Sequence, residues 1–305
     1  MPLHLPLRPA LSSHCALCSL RSRRSFTTLL AASALATASG SRAASAQPSE
    51  GLQGDVGGNS RLSKLVPADW LEGQAAQQYQ GMMRSAAQQR VLAEGQDPQL
   101  QRLRHLARRI VPFAPAWNAR APRWAWEVNL LNQPTLNAFC MPGGKIAFYR
   151  GILQKLQLSD DEVAAIMGHE VAHALREHAR ERIAKTVATR TGLGVAADLF
   201  GLGGLARSAL DVGGQLLTLK FSRDDETEAD LVGMDLAARA GYDPAAGVTL
   251  WQKMMGASQG APSPFLSTHP AGATRIKDIQ SKLPKVQPLF QRAAKPEQRF
   301  GPPKP

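Results

Sequence analysis

The chain has 305 residues, 36 Lys and Arg against 24 Asp and Glu, a formal charge of +12 and three cysteines. An apolar content of 44% with 20% charged residues excludes a wholly disordered polypeptide, and the length allows one or two domains with a sizeable core. The charge raises nucleic-acid binding, but residues 1–46 hold five arginines (Arg8, Arg21, Arg23, Arg24 and Arg42) and no acid, leaving +7 for the rest.

Those first 46 residues read as a cleavable export signal. The basic stretch ends at Arg24, an uncharged run follows from Phe26 to Ala38, and Ala44-Ser45-Ala46 fits a small-x-small cleavage site. The run is too short for a transmembrane helix. Ser22-Arg23-Arg24-Ser25-Phe26 resembles the front of the twin-arginine motif, although Thr27-Thr28 stands where Leu-Lys usually follows. The expectation is a periplasmic protein; a mitochondrial transit peptide, also rich in Arg and Ser, is the alternative. Cys15 and Cys18 fall within this segment, so the mature chain keeps Cys140 alone and forms no internal disulfide.

Residues 47–66 read as a flexible leader, rich in Gly, Ser and Gln up to Ser60. Helices are expected from Pro67 to about Ala93 and from Asp97-Pro98 to about Val111. The second sets Leu100, Leu103, Leu106 and Ile110 near one face and Arg102, Arg104, Arg108 and Arg109 on a solvated one. Strands are expected in 124–131, 136–141 and 145–149, the last two joined by a Pro142-Gly143-Gly144 turn. Ser159-Asp160-Asp161-Glu162 is a capping box opening a long helix that runs past Arg182. Residues 191–219 are rich in Gly, Leu and Ala. Asp198, Arg207, Asp211 and Lys220 break the run, favouring two short helices over a membrane hairpin. Further helices are expected over 223–239, after Asp243-Pro244, and from Pro270 to near Leu283. Residues 284–305 read as a disordered basic tail.

The chemistry sits in His169-Glu170-Val171-Ala172-His173, inside the capped helix. At about 100° per residue the two histidines stand about 40° apart, so both imidazoles can meet one metal ion. Glu170 is near enough to address a water there without being a ligand. A catalytic zinc needs a third ligand and an open position. Ser222 to Asp230 offers Glu226, with Asp230 one turn on and on the same face, placed to orient a ligand histidine. Asp224 and Asp225 have a plainer account, an acidic first turn favoured by the helix dipole. Glu228 is a rival third ligand, but two positions from Glu226 it points about 160° away.

Four blocks in order carry a family resemblance: Asn137 to Ile146 (NAFCMPGGKI), the His169–His173 helix, Ser222 to Asp230, and Ser267-Thr268-His269-Pro270 with Arg275-Ile276. The resemblance they carry covers about Leu62 to Leu283. They resemble the HtpX-type, CAAX-prenyl-endopeptidase-like gluzincin zinc metallopeptidases, in particular the soluble periplasmic members and the catalytic domain of the mitochondrial overlapping-activity protease. The resemblance implies a mainly α (α+β) zincin-type metallopeptidase domain over residues 67–283. Its small three-stranded sheet, with one edge strand, would pack on the H-E-x-x-H helix and the glutamate-ligand helix. One Zn2+ per chain is implied, held by His169, His173 and Glu226, with Glu170 as general base and Asp230 orienting a ligand histidine. His269 matches a histidine that either steadies the oxyanion or caps the zinc in a latent state, with Arg275 in support. Asn137, Ala138 and Phe139 match the edge strand on which a substrate peptide lies.

The implied function is zinc-dependent endoproteolysis of unfolded or misfolded envelope proteins, Glu170 activating the attacking water. The alternative is a chaperone-like envelope assembly factor whose zinc site is mostly latent, capped by His269; an intact Glu170 counts against a purely non-catalytic module. The expected partners are unfolded substrates and peripheral contact with the membrane or outer-membrane assembly machinery. No specific nucleic acid is expected, since no aromatic-basic surface motif accompanies the charge. Five histidines lie beyond residue 46, and three of them fall in this site. His178, on the opposite face of a continuous helix, reads as a packing or surface residue, His105 as solvated, and Cys140 as a small buried residue.

Overall fold

The computed structural model describes residues 51–191, 216–217, 219–257, 263–270 and 272–303. The expected export signal and most of the two helices expected over 191–219 lie outside the described residues. In chain order the elements are α1 (Ala68–Gln88), α2 (Pro98–Ile110), β1 (Glu127–Leu131), β2 (Ala138–Met141), β3 (Lys145–Tyr149), α3 (Arg150–Lys155) and α4 (Asp160–Leu175). Then come α5 (His178–Thr191), α6 (Arg223–Arg239), α7 (Ala246–Ala257), α8 (Pro264–Thr268) and α9 (Ala273–Arg292). The architecture is the expected one, mainly helical with one small sheet.

The sheet runs in the order β1-β3-β2, with β3 parallel to β1 and antiparallel to β2. Gly143 and Gly144 join β2 to β3 with φ of 83° and 77°, the left-handed region that glycine enters without a Cβ clash. The outer side of β1 is met by residues 91–93 through a Leu92–Leu131 bridge. Among the described residues β2 has no strand on its outer side, so it is the edge strand.

Two buried helices carry the site, and both start on capping boxes. At α4 the Glu162 N–H donates to Ser159 Oγ at 3.3 Å and the Ser159 N–H to the Glu162 carboxylate at 2.8 Å. Ser222 and Asp225 repeat the device at α6, at 3.2 and 2.8 Å. Each box satisfies two amides that a helix start leaves without partners.

The two helices touch backbone to backbone at Gly168 and Gly233. A Cβ on Gly233 would sit 2.6 Å from the His169 nitrogen, 2.7 Å from the Gly168 carbonyl carbon and 2.9 Å from His169 Cα. Backbone atoms cannot swing aside as side chains do, so Gly233→Ala is expected to destabilise the fold by about 3 kcal/mol, the top of the usual overpacking range. Gly73→Ala, on the exposed face of α1 with no atom within 4 Å of the added Cβ, is expected to stabilise it by roughly 0.5–1 kcal/mol. Thermal melts of the two variants, moving in opposite directions, check this.

Four expectations are corrected. The helix of the H-E-x-x-H motif does not run past Arg182; it ends at Leu175, and Glu177 takes a left-handed φ of 58° before α5 begins. An ion pair to Arg180 at 2.8 Å and a 3.4 Å hydrogen bond from Ser63 hold that turn. The leader is anchored at Leu52 and Asp55, although Gly57 to Asn59 stay exposed. Leu52 is fully buried, its N–H donating to Asp235 at 3.1 Å, and Asp55 pairs with Lys282 and Lys285 at 2.7 Å each.

The tail is not disordered after Leu283. α9 continues to Arg292 through Pro284 and Pro288, because Val286 and Leu289 bury against the core. Further on, Phe300 donates its N–H to Asp160 at 2.7 Å. The arginine face of α2 is not solvated either. Arg102 is fully buried, 2.6 Å from Asp160 and 2.7 Å from the Leu158 carbonyl, and Arg109 donates to the carbonyls of Ala240 and Ala294. Of the four arginines in that stripe, Arg108 is the exposed one. His105 is half-buried against Phe300, at a ring separation of 5.5 Å. No described helix is long and apolar enough to cross a membrane.

Candidate metal centre

One turn of α4 separates His169 from His173, and their Nε2 atoms lie 3.1 Å apart. The close α4–α6 crossing brings Glu226 beside both: Oε2 is 3.5 Å from His169 Nε2, and Oε1 is 3.5 Å from His173 Nε2. His269 arrives from the C-terminal cap of α8, where its N–H donates to the Phe265 carbonyl at 2.8 Å and its ring stacks on Phe265 at 4.6 Å. Its Nδ1 lies 3.0 Å from Glu226 Oε1 and 3.3 Å from His169 Nε2. All four side chains are buried, and their donor atoms lie within 4.8 Å of one another.

This group fits one zinc ion. Tetrahedral N and O ligands at about 2.0–2.1 Å from zinc stand about 3.3 Å from each other, close to the 3.1 Å between the His169 and His173 nitrogens and the 3.0–3.5 Å at which a Glu226 oxygen approaches each of the three histidines. Three imidazoles and a carboxylate are zinc-type donors. Glu226 Oε2 is buried without a hydrogen bond; Arg275 Nη1 approaches it to 2.6 Å, but not in hydrogen-bonding alignment. Glu226 and Asp230 both lie against the Arg275 guanidinium, at 2.6 and 2.7 Å. Burial disfavours charge on His169, yet the hydrogen-bonded Asp230 and the neighbouring Glu226 carboxylate outweigh it and hold its pKa at about 9. Burial also pushes the Glu226 carboxyl up, but His169 and His269 more than reverse this and hold it well below the usual carboxylate range. The carboxylates thus favour positive charge at this point.

The groups around it fix its orientation. His169 Nδ1 is 3.0 Å from Asp230 Oδ1, the place expected for Asp230 one turn beyond Glu226. Arg275 donates to both Asp230 oxygens at 2.7 Å, lies over the face of Trp251 at 3.7 Å, and donates to the Pro270 carbonyl at 3.1 Å. It thus supports the two acids and the turn carrying His269. Glu170 stands outside the donor group, 2% exposed, with Oε1 lacking a hydrogen bond and 3.5 Å from His269 Nε2. Burial pushes its carboxyl up, against the pull of His269 and His169.

Asn137, Ala138 and Phe139 line a cleft that Glu170, His173 and His269 also line. Leu216, Leu217, Leu219 and Phe221 form its apolar wall, and Phe221 stacks on His173 at 4.0 Å. Cys140, on β2, is half-buried, and burial pushes its thiol well up, an inert setting. Glu228 points away from Glu226, as its position requires, and meets His178 at 2.7 Å. His178 is more than the packing or surface residue its spacing suggests; it lies buried beside His173, with the Nδ1 atoms 2.9 Å apart. The left-handed Glu177 turns it there, and no Gly, Asn or Pro in the sequence announces that break.

The family model for peptidase family M48 matches residues 100–283. The chain is 40% identical over 172 residues to the mitochondrial metalloendopeptidase OMA1 of Schizosaccharomyces pombe, covering 53% of this chain and 48% of that protein. It is 32% identical over 150 residues to the metalloprotease LoiP of Escherichia coli, covering 48% and 59%. With the beta-barrel assembly-enhancing protease of Yersinia pestis it shares 26% over 183 residues, covering 56% and 37%. The chain therefore spans about half the length, or less, of most of these relatives. The matched segment contains His169, Glu170, His173, Glu226 and His269, the residues that the fold gathers at one point, and the chain belongs to peptidase family M48.

Proposed function

We propose that this chain is a zinc-dependent endopeptidase acting on unfolded or misfolded polypeptides of the cell envelope. The observation that carries the reading is a buried His169, His173 and Glu226 donor group with a separate buried carboxyl, Glu170, facing the same cleft. Bound there, zinc supplies Lewis acidity, making water acidic near neutral pH and polarising a carbonyl. An extended peptide lies along the free edge of β2, at Asn137, Ala138 and Phe139, through backbone hydrogen bonds that a folded substrate cannot offer. Glu170, its carboxyl raised by burial, takes the proton of the attacking water and returns it to the leaving amine. Asp230 and Arg275 keep His169 oriented throughout.

A second reading has its own observation. His269 sits within the donor group, so the protein offers four donors, enough to fill a tetrahedral site without water. In this reading the protein rests as a latent zinc site that opens when His269 leaves. Location and partners rest on other observations. The export-like character of residues 1–46 favours the periplasm, with mitochondria as the alternative. The name of the beta-barrel assembly-enhancing relative favours contact with outer-membrane assembly machinery.

Cleavage of a permanently unfolded test protein by the wild-type chain, or by His269→Ala if the wild type is silent, is expected. A zinc chelator should abolish it and stoichiometric zinc should restore it. Cleavage that persists through full metal removal overturns the proposal.

A further inference from the structure

His178 lies outside the donor group yet belongs to its frame. The turn at Glu177 places its ring 4.9 Å from that of His173, 1% exposed. Its Nδ1 is 2.9 Å from His173 Nδ1 and its Nε2 is 2.7 Å from Glu228 Oε2. The other Glu228 oxygen is held by Arg176 at 2.7 Å. Both nitrogens of His178 are therefore engaged, one by the far side of the His173 ring and the other by Glu228, and His178 is not a member of the donor group.

The hydrogen-bond inventory assigns the protons. For His173 to present a lone pair at Nε2, its own proton must sit on Nδ1. The group facing that nitrogen is Nδ1 of His178, which must then accept. His178 in turn carries its proton on Nε2 and donates it to Glu228, which as a carboxylate only accepts. Resting on the zinc-site reading above, we infer that His178 and Glu228 are positioning residues for His173, fixing its ring and tautomer as Asp230 does for His169. The two ligand histidines of α4 are supported differently. Asp230 reaches His169 directly, whereas Glu228, which points away from the site, reaches His173 through a second imidazole. This gives Glu228 a role although it is turned away from Glu226, and it gives the irregular turn at Glu177 a purpose.

The test is zinc affinity of the full chain, measured by competition with a chromogenic chelator, together with the absorption spectrum of the Co2+-substituted protein. His178→Leu is expected to lose about 10–100-fold in affinity and to shift the Co2+ bands. His178→Asn, whose amide oxygen can accept where Nδ1 does, should recover most of that loss. Glu228→Ala, at a partly exposed position, should lose several-fold and decides the matter if His178→Leu fails to fold. Affinity and spectrum unchanged in Glu228→Ala and in every folded His178 variant overturn the inference. A wild-type chain that binds no zinc overturns the zinc-site reading, and this inference with it; Asp230→Asn sets the scale of loss in the same assay.

Discussion

Glu170→Gln is expected to lower cleavage of an unfolded protein by at least about 10²–10⁴-fold while leaving the zinc content of the chain unchanged. The substitution keeps the shape of the side chain and removes one capacity, that of holding a proton taken from water. Glu170 is separate from the donor group, so its loss leaves all four candidate ligands in place. Its Oε1 is buried without a hydrogen bond, an arrangement that costs stability and suits a carboxyl waiting for a proton. Burial raises its carboxyl pKa, the direction a general base needs, against the pull of His269 and His169. The variant should therefore fold at least as stably as the wild type, and a thermal melt of the zinc-loaded protein measures that. Full activity in Glu170→Gln sinks the base assignment. Loss of zinc along with activity would show instead that Glu170 holds the metal.

Much of this site is legible in the amino-acid sequence, for a physical reason. A helix reports its own geometry through spacing, so His169 with His173, and Glu226 with Asp230, declare shared faces from their four-residue separation alone. The boundaries of α6 also follow from local signals, with Ser222 and Asp225 capping one end. What stays hidden depends on contacts made across the chain. Arg102 looks like a surface residue until Asp160 and the Leu158 carbonyl, 56 and more residues away in sequence, bury it. Pro284 and Pro288 read as helix breakers because the burial of Val286 and Leu289 against the core is tertiary. Spacing puts His178 on the wrong side because it treats the helix as continuous through Glu177. A left-handed glutamate carries no compositional mark; ion pairing to Arg180 holds it. The spacing of Glu226 and Asp230 likewise says nothing of Arg275, which ties them together from another helix.

His269→Ala is expected to raise cleavage of an unfolded protein by about tenfold or more at saturating zinc. Two effects oppose each other in this variant. Removing a donor from a developing oxyanion costs about 10²–10³ in rate, if His269 has that duty. Removing a cap gains as much as the closed state was withholding, and a resting population open 1–10% of the time withholds about 10–100-fold. The structure favours the cap. His269 Nδ1 is 3.0 Å from Glu226 and 3.3 Å from His169, and its Nε2 faces Glu170 at 3.5 Å, so the ring stands between the proposed ligands and the proposed base. Burial to 3% exposure, stacking on Phe265 and the backbone anchor of α8 all stabilise that position. Zinc affinity should fall at the same time, since one of four donors is gone, and the opposite movement of affinity and activity is the signature of a capped site. An active wild type made inactive by His269→Ala, with zinc still bound, would assign His269 to the oxyanion and make the closed arrangement a minor state.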